Sequence, residues 1–228
     1  MVRSKPQKLS SSRFDGWFWQ FILVCVIHLF AVQFSAGALA VITKSVLIPA
    51  LMIWYWQQSK LQLVWVYLAL GASWVGDILL TQAGLFYFIA GLLAFLMTHL
   101  VYLYYFYRQR SALKYWQVNL ILFLWCFLII YGWYLTPHLG PLKIPVYVYM
   151  LIITLMASFA IARNRKLPGH GTVWQGALFF MASDSLLAYD KFVSPLPAAH
   201  WWIMITYLAA QFLIVWGILK DEELQREG

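Results

Sequence analysis

Eight long apolar runs succeed one another along the chain, at 17–34, 38–56, 61–81, 85–107, 116–135, 142–162, 173–191 and 200–219. Each is close to the roughly 20 residues that a helix needs to cross a hydrocarbon core of about 30 Å. Polar side chains and helix breakers fill the gaps: Ser35-Ala36-Gly37, Gln57-Gln58-Ser59-Lys60, Thr81-Gln82-Ala83-Gly84, the segment 136–141, and Pro168-Gly169-His170-Gly171. The two-residue alternation of a barrel strand is missing, and a backbone in lipid must satisfy its own hydrogen bonds, so the runs read as helices. No gap has room for a second folded unit. The pattern predicts an all-α integral membrane protein, a single bundle of eight transmembrane helices. Residues 1–16 form a basic N-terminal segment, 17–219 the membrane domain and 220–228 a C-terminal tail.

Composition narrows the class further. Of the 228 residues 63% are hydrophobic and 11% charged, against about 45–50% and about 25% in a soluble domain. Such a chain cannot cover itself in water, and it has no polar low-complexity tract that would leave it disordered. Its two cysteines, Cys25 and Cys126, both fall inside apolar runs and behave there as small apolar side chains. The positive charges are sorted by side. Arg3, Lys5, Lys8 and Arg13 precede the first run, Lys60 follows the second, and Arg108, Arg110 and Lys114 follow the fourth. Arg163, Arg165 and Lys166 follow the sixth, and Lys220 and Arg226 the eighth. Only Lys143 and Lys191 belong to the opposite loops. The positive-inside rule then puts both termini in the cytoplasm, and the short loops fit a bacterial inner (plasma) membrane. A net charge of +8 is thereby a topological signal. Nucleic acid is excluded as a partner, since the basic residues are scattered over five short segments. The N-terminus has the basic-then-apolar order of a secretory signal, but its apolar run is too long and another follows at once.

Three formally charged side chains lie well inside the runs: Lys44, Asp77 and Asp184. Each costs about 2.5–3.5 kcal/mol at a helix centre, so an intramembrane charge marks a site or a pathway. Counting from the run ends at 1.5 Å per residue puts all three within roughly 6–11 Å of the non-cytoplasmic edge. They share one layer. Small residues flank both acids: Ala69, Ser73 and Gly76 near Asp77, and Gly176, Ala177 and Ser183 near Asp184. Small side chains let helices approach and leave room for a ligand. Other polar residues pair along single faces, His99 with Tyr102 in the fourth run and Tyr207 with Gln211 in the eighth. A plain structural account, a buried Lys–Asp pair locking helices, explains one acid more easily than two acids and a lysine at one depth. No metal-ligand spacing, cysteine cluster, nucleophile elbow or phosphate loop is present, so the sequence points to no metal and no cofactor.

Four stretches carry a resemblance. They are Leu70-Gly71-Ala72-Ser73-Trp74-Val75-Gly76-Asp77-Ile78-Leu79-Leu80, the segment from Phe88 through Thr98-His99-Leu100-Val101-Tyr102, Gly176-Ala177-Leu178-Phe179-Phe180-Met181-Ala182-Ser183-Asp184-Ser185, and Thr206-Tyr207-Leu208-Ala209-Ala210-Gln211. In this order and in these runs they resemble the YhhN family of multi-pass proteins, which includes lysoplasmalogenases. Lys44 matches the family's second-span lysine, and Asp77 and Asp184 match its two key acidic positions. The resemblance implies hydrolysis of the vinyl ether bond of lysoplasmalogen to a fatty aldehyde and a glycerophospho-ethanolamine or -choline. The partners it implies are this lysophospholipid and the surrounding membrane lipids.

Vinyl ether hydrolysis starts with proton delivery to the alkene carbon, giving an oxocarbenium ion that water then captures. One carboxylic acid must supply the proton, and one carboxylate must stabilise the cation or activate water. Asp77 and Asp184, in a low-dielectric layer beside Lys44, can divide these roles as the paired acids of glycosidases do. Which is the acid stays open, with Asp184 favoured as the deeper of the two. Ser73, His99, Tyr102, Ser183, Tyr207 and Gln211 are the supporting candidates. Three rival readings exist. A proton-coupled transporter also needs intramembrane Asp and Lys, an intramembrane aspartyl protease needs a Gly-Asp element, here at the wrong place in the chain order, and a lipid-binding scaffold needs no chemistry.

Overall fold

The computed structural model describes residues 16–34 and 37–227, so the basic segment 1–16, apart from Gly16, which opens the first helix, lies outside the described residues. Eight α-helices account for nearly all of it: α1 Gly16–Gln33, α2 Gly37–Gln58, α3 Val64–Leu79, α4 Leu85–Arg108, α5 Tyr115–Leu135, α6 Lys143–Ala162, α7 His170–Phe192 and α8 Ala199–Glu227. Two single 3₁₀ turns, Thr136–His138 and Gly140–Leu142, join α5 to α6. Six helices are long and apolar enough to cross a membrane, namely α1, α2, α4, α5 (with its 3₁₀ turn), α6 and α8. The chain is thus an all-α, multi-pass membrane protein. α3 is apolar but only 16 residues long, and α7 carries the Ser183-Asp184-Ser185 stretch that dilutes its apolarity.

The apolar run at 61–81 yields a shorter helix because its first residues are spent on a turn. Gln62 adopts φ +49°. Its backbone N–H donates to Ser59 Oγ at 2.9 Å, and its side-chain amide donates to the carbonyls of Trp56 and Ser59 at 2.8 and 2.7 Å. These bonds satisfy backbone carbonyls freed at the end of α2.

Packing runs in a closed circuit. α1 lies on α2, α2 on α3, α3 on α4, α4 on α6, α6 on α7, α7 on α8, and α8 returns to α1. α5 stands outside the circuit against α6, and side chains such as Phe123, Ile129, Ile130 and Trp133 on it are exposed. In a membrane those side chains meet lipid, which needs no burial. The tightest contact is α7 on α8. A Cβ on Gly176 would sit 2.8 Å from Ile214 and 2.9 Å from the Ala210 carbonyl, and Gly169 and Gly217 meet backbone to backbone. Gly176 therefore serves helix approach, and the space beside it is filled by α8 rather than by a ligand.

One end of the bundle is tied by buried ions. Arg163, at the end of α6, is fully buried and donates to Asp221 and to Gln109. Asp221 also accepts the Gly169 N–H at 2.7 Å, and Glu222 accepts from Tyr55 at 2.7 Å and from Ser59 at 2.8 Å. These partners extend α8 beyond the apolar run that ends at 219: residues 220–227 continue the helix, with Asp221 and Glu222 inside the fold. Lys60, Arg110, Arg165 and Lys166 lie in the loops at this same basic end, and Arg108 closes α4 there.

Candidate active site

The opposite half of the bundle contains a cleft between α4, α5, α6 and α7. Its wall is apolar: Phe88, Phe95, Phe127, Met150, Met181 and Phe192 are representative. The polar groups on the wall are mostly occupied within their own surroundings. Tyr131 donates to the Ser185 carbonyl at 2.6 Å, Ser185 to the Met181 carbonyl at 2.7 Å and Thr154 to the Met150 carbonyl at 2.8 Å. The exception is Asp184, the carboxylate in the lining.

α7 presents Asp184 with its side chain 14% exposed, and only Oδ2 is tied down. Tyr149 of α6 donates its hydroxyl to that oxygen at 2.5 Å. His99 of α4 places Nε2 3.1 Å from the same oxygen and 2.9 Å from the Tyr149 hydroxyl. Three helices of the circuit thus meet in one triangle of polar atoms. His99 is fully buried, its ring edge-on to Phe180 at 4.6 Å, and its Nδ1 has no partner among the described residues. Oδ1 of Asp184 makes no hydrogen bond among the described residues and is left for whatever enters the cleft.

Asp77 has a different setting. It is 2% exposed, on α3, and does not line the cleft. Tyr207 of α8 donates to its Oδ2 at 2.7 Å, and Lys44 of α2 stands 3.8 Å from its Oδ1. The network continues inward. Gln211 donates to Ser73 Oγ at 2.8 Å and to Tyr207 at 3.4 Å, and accepts from Tyr102 at 3.2 Å. Ser73 shares a 2.9 Å hydrogen bond with Thr98. Rings fill the space between the two acids' partners. Phe180 lies edge-on to both His99 and Tyr207, and Phe95, itself a cleft residue, packs on Tyr207 at 5.8 Å.

The predicted site residues therefore fall into three places. Lys44, Asp77, Ser73, Tyr102, Tyr207 and Gln211 form one buried network, and Asp184 and His99 form a second at the cleft. His99 and Tyr102, neighbours on one face of α4, serve different networks. Ser183 joins neither: its hydroxyl donates to the Ile203 carbonyl of α8 at 3.0 Å. Sequence reasoning passed over Tyr149, whose only signal was a phenol in the middle of an apolar run, and over Phe95 and Phe180, which look like any other core aromatics. Among the described residues no group of three His, Cys, Asp or Glu side chains is placed to hold a metal.

Comparison with known proteins follows the same lines. The sequence model of the YhhN family matches residues 39–218. The human lysoplasmalogenase TMEM86B is 35% identical over 214 residues, an alignment covering 90% of this chain and 87% of the human protein. The bovine lysoplasmalogenase TMEM86A is 33% identical over 165 residues, 69% of this chain and 66% of its own length. A lysoplasmalogenase of Mycobacterium bovis is 36% identical over 104 residues, 42% of this chain and 36% of that protein. No solved structure matches.

Proposed function

The chain belongs to the YhhN family, and from that premise we infer that it is a lysoplasmalogenase, an enzyme that hydrolyses the vinyl ether bond of a lysoplasmalogen. We further propose how its residues perform the reaction. The observation that carries the proposal is a single carboxyl group, Asp184, on the wall of an otherwise apolar cleft, held by Tyr149 and His99 through one oxygen. The apolar lining of the cleft, with Phe88, Phe95, Phe127 and Phe192 along it, matches an aliphatic chain.

In this mechanism the lipid tail lies among the cleft aromatics and the vinyl ether stands against Asp184. Asp184 transfers its proton to the alkene carbon distal to the ether oxygen, and an oxocarbenium ion forms. The carboxylate left behind then takes a proton from a water molecule as that water adds to the oxocarbenium carbon. The hemiacetal breaks its bond to the glycerol oxygen, which leaves as a hydroxyl group, and a fatty aldehyde is released. The same residue serves as acid and then base, as in retaining glycosidases. Tyr149 and His99 fix the carboxyl so that its other oxygen faces the substrate. Asp77, behind Phe95 and Phe180, supplies a negative charge whose field favours the cation in a medium of low dielectric, while Lys44 and Tyr207 hold that carboxylate in place.

All eight helices are proposed to cross the membrane. α3 and α7 each lie between spanning neighbours in the closed circuit, and Asp184 and Ser185 of α7 line the cleft. The basic end then faces the cytoplasm of a bacterial plasma membrane, with both termini inside, and the cleft opens toward the other leaflet. The test is aldehyde release from a lysoplasmenyl lipid by purified wild type and Asp184→Asn. The wild type is expected to release aldehyde and the variant to lose nearly all of it. Substantial turnover by the variant would refute the assignment of Asp184.

A further inference from the structure

Of the lysines and arginines in the described part of the chain, Lys143 and Lys191 alone stand at helix ends on the cleft side of the bundle, Lys143 opening α6 and Lys191 in the last turn of α7, while Lys44 is set deeper on α2. Neither lines the cleft itself, but each adjoins residues that do. Lys191 is exposed near the end of α7, and its ammonium lies 4.9 Å from the centre of the Phe88 ring. Phe88 packs edge-on against Phe192 at 5.8 Å, and both rings line the cleft. Lys143, also exposed, begins α6 three residues before the cleft residue Val146 and on the same helical face. The acidic neighbour in this region, Asp190, accepts the Leu196 backbone N–H at 2.8 Å.

Register along α7 adds a ruler. Asp184 and Lys191 are seven residues apart, which puts them on one face about 10 Å apart along the axis. Asp184 is where the vinyl ether is placed by the function proposed above, on which this inference rests. A glycerol backbone with its phosphate, together with the flexible lysine stem, spans the remaining distance. We propose that Lys191, with Lys143 across the mouth, is the phosphate-reading rim of the cleft, and that it selects single-chain ether lipids carrying an anionic phosphodiester over the corresponding headless alkenylglycerols. Lysine suits this position as a compact, strongly hydrated point charge on a long stem. The rim meets the head group in water while the tail fills the apolar wall.

The experiment compares two substrates and one non-cleavable ligand. For the wild type, kcat/KM is measured on 1-alkenyl-glycerophosphocholine and on 1-alkenylglycerol, and binding is measured with 1-alkyl-glycerophosphocholine, whose saturated ether resists this chemistry. Lys191→Gln is expected to lower the ratio of kcat/KM values, phosphate-bearing over headless, about tenfold through KM. Binding of the alkyl lysolipid is expected to weaken in parallel. Lys191→Arg should retain the ratio, and Lys143→Gln combined with Lys191→Gln should lower it further. An unchanged ratio and unchanged alkyl-lysolipid binding in the double variant would overturn the proposal. So would competition by millimolar inorganic phosphate as strong as that by the lysolipid, since it would assign the rim to a free anion. If the wild type released no aldehyde from either substrate, the enzymatic reading would fail, whereas the alkyl-lysolipid binding arm would still report on the rim.

Discussion

Asp77 and Asp184 are the same residue type, each with serine close by on its own helix (Ser73 on α3, Ser183 and Ser185 on α7), and their surroundings could hardly differ more. Asp77 is buried, with Lys44 on one oxygen and Tyr207 on the other. Asp184 stands on the cleft wall, with both protein partners on a single oxygen. A carboxylate whose two oxygens are engaged by a cation and a phenol is fixed as a charge. One with a free oxygen beside an apolar cleft is fixed as a reagent. The difference teaches that intramembrane acids are assigned roles by which of their oxygens are spoken for.

Four substitutions probe that contrast. Asp184→Asn removes the proton donor, and its aldehyde release is expected to fall by about 10²–10⁴-fold, the usual scale for a general acid, with the helical content and thermal melting of the wild type. Asp77→Asn should lower kcat by about 10–100-fold, corresponding to about 1.4–2.7 kcal/mol of barrier, while KM stays near the wild-type value. It should also destabilise the fold by about 1–3 kcal/mol, because the Lys44 ammonium and Tyr207 hydroxyl lose a charged acceptor. Adding Lys44→Met to Asp77→Asn should recover much of the melting temperature and none of the rate, which separates the two contributions. Tyr149→Phe should have the smallest effect, about a tenfold loss in kcat, since His99 still orients the carboxyl.

Much of this contrast was present in the sequence, and the missing part has a physical reason. The depth of Lys44, Asp77 and Asp184 follows from helix rise alone, and the Lys44–Asp77 pair meets as that depth requires. Tyr207 and Gln211, spaced i and i+4 on α8, share one network because a helix face is a local property. The partners of Asp184 are not local. Tyr149 is one of two tyrosines on α6, and nothing in its spacing says that this turn of α6 faces α4 and α7. The helix ends show the same limit. Gln62 shortens α3 by spending its residues on a turn, and Asp221 and Glu222 prolong α8 because Arg163, Tyr55 and Ser59 receive them. Hydropathy registers the lipid and is silent about partners that arrive from other helices.

The measurement that bears most directly on the contrast is chemical rescue of truncated side chains by a small acid. Asp184→Ala leaves a gap on the wall of the cleft that formate can enter, whereas Asp77→Ala leaves its gap enclosed by α2, α3 and α8. Aldehyde release from a lysoplasmenyl lipid is followed for both variants as formate is added. Formate is predicted to restore turnover to Asp184→Ala in proportion to its concentration and to do nothing for Asp77→Ala. Rescue of Asp77→Ala alone, or full activity of Asp184→Ala before any formate is added, would contradict the account.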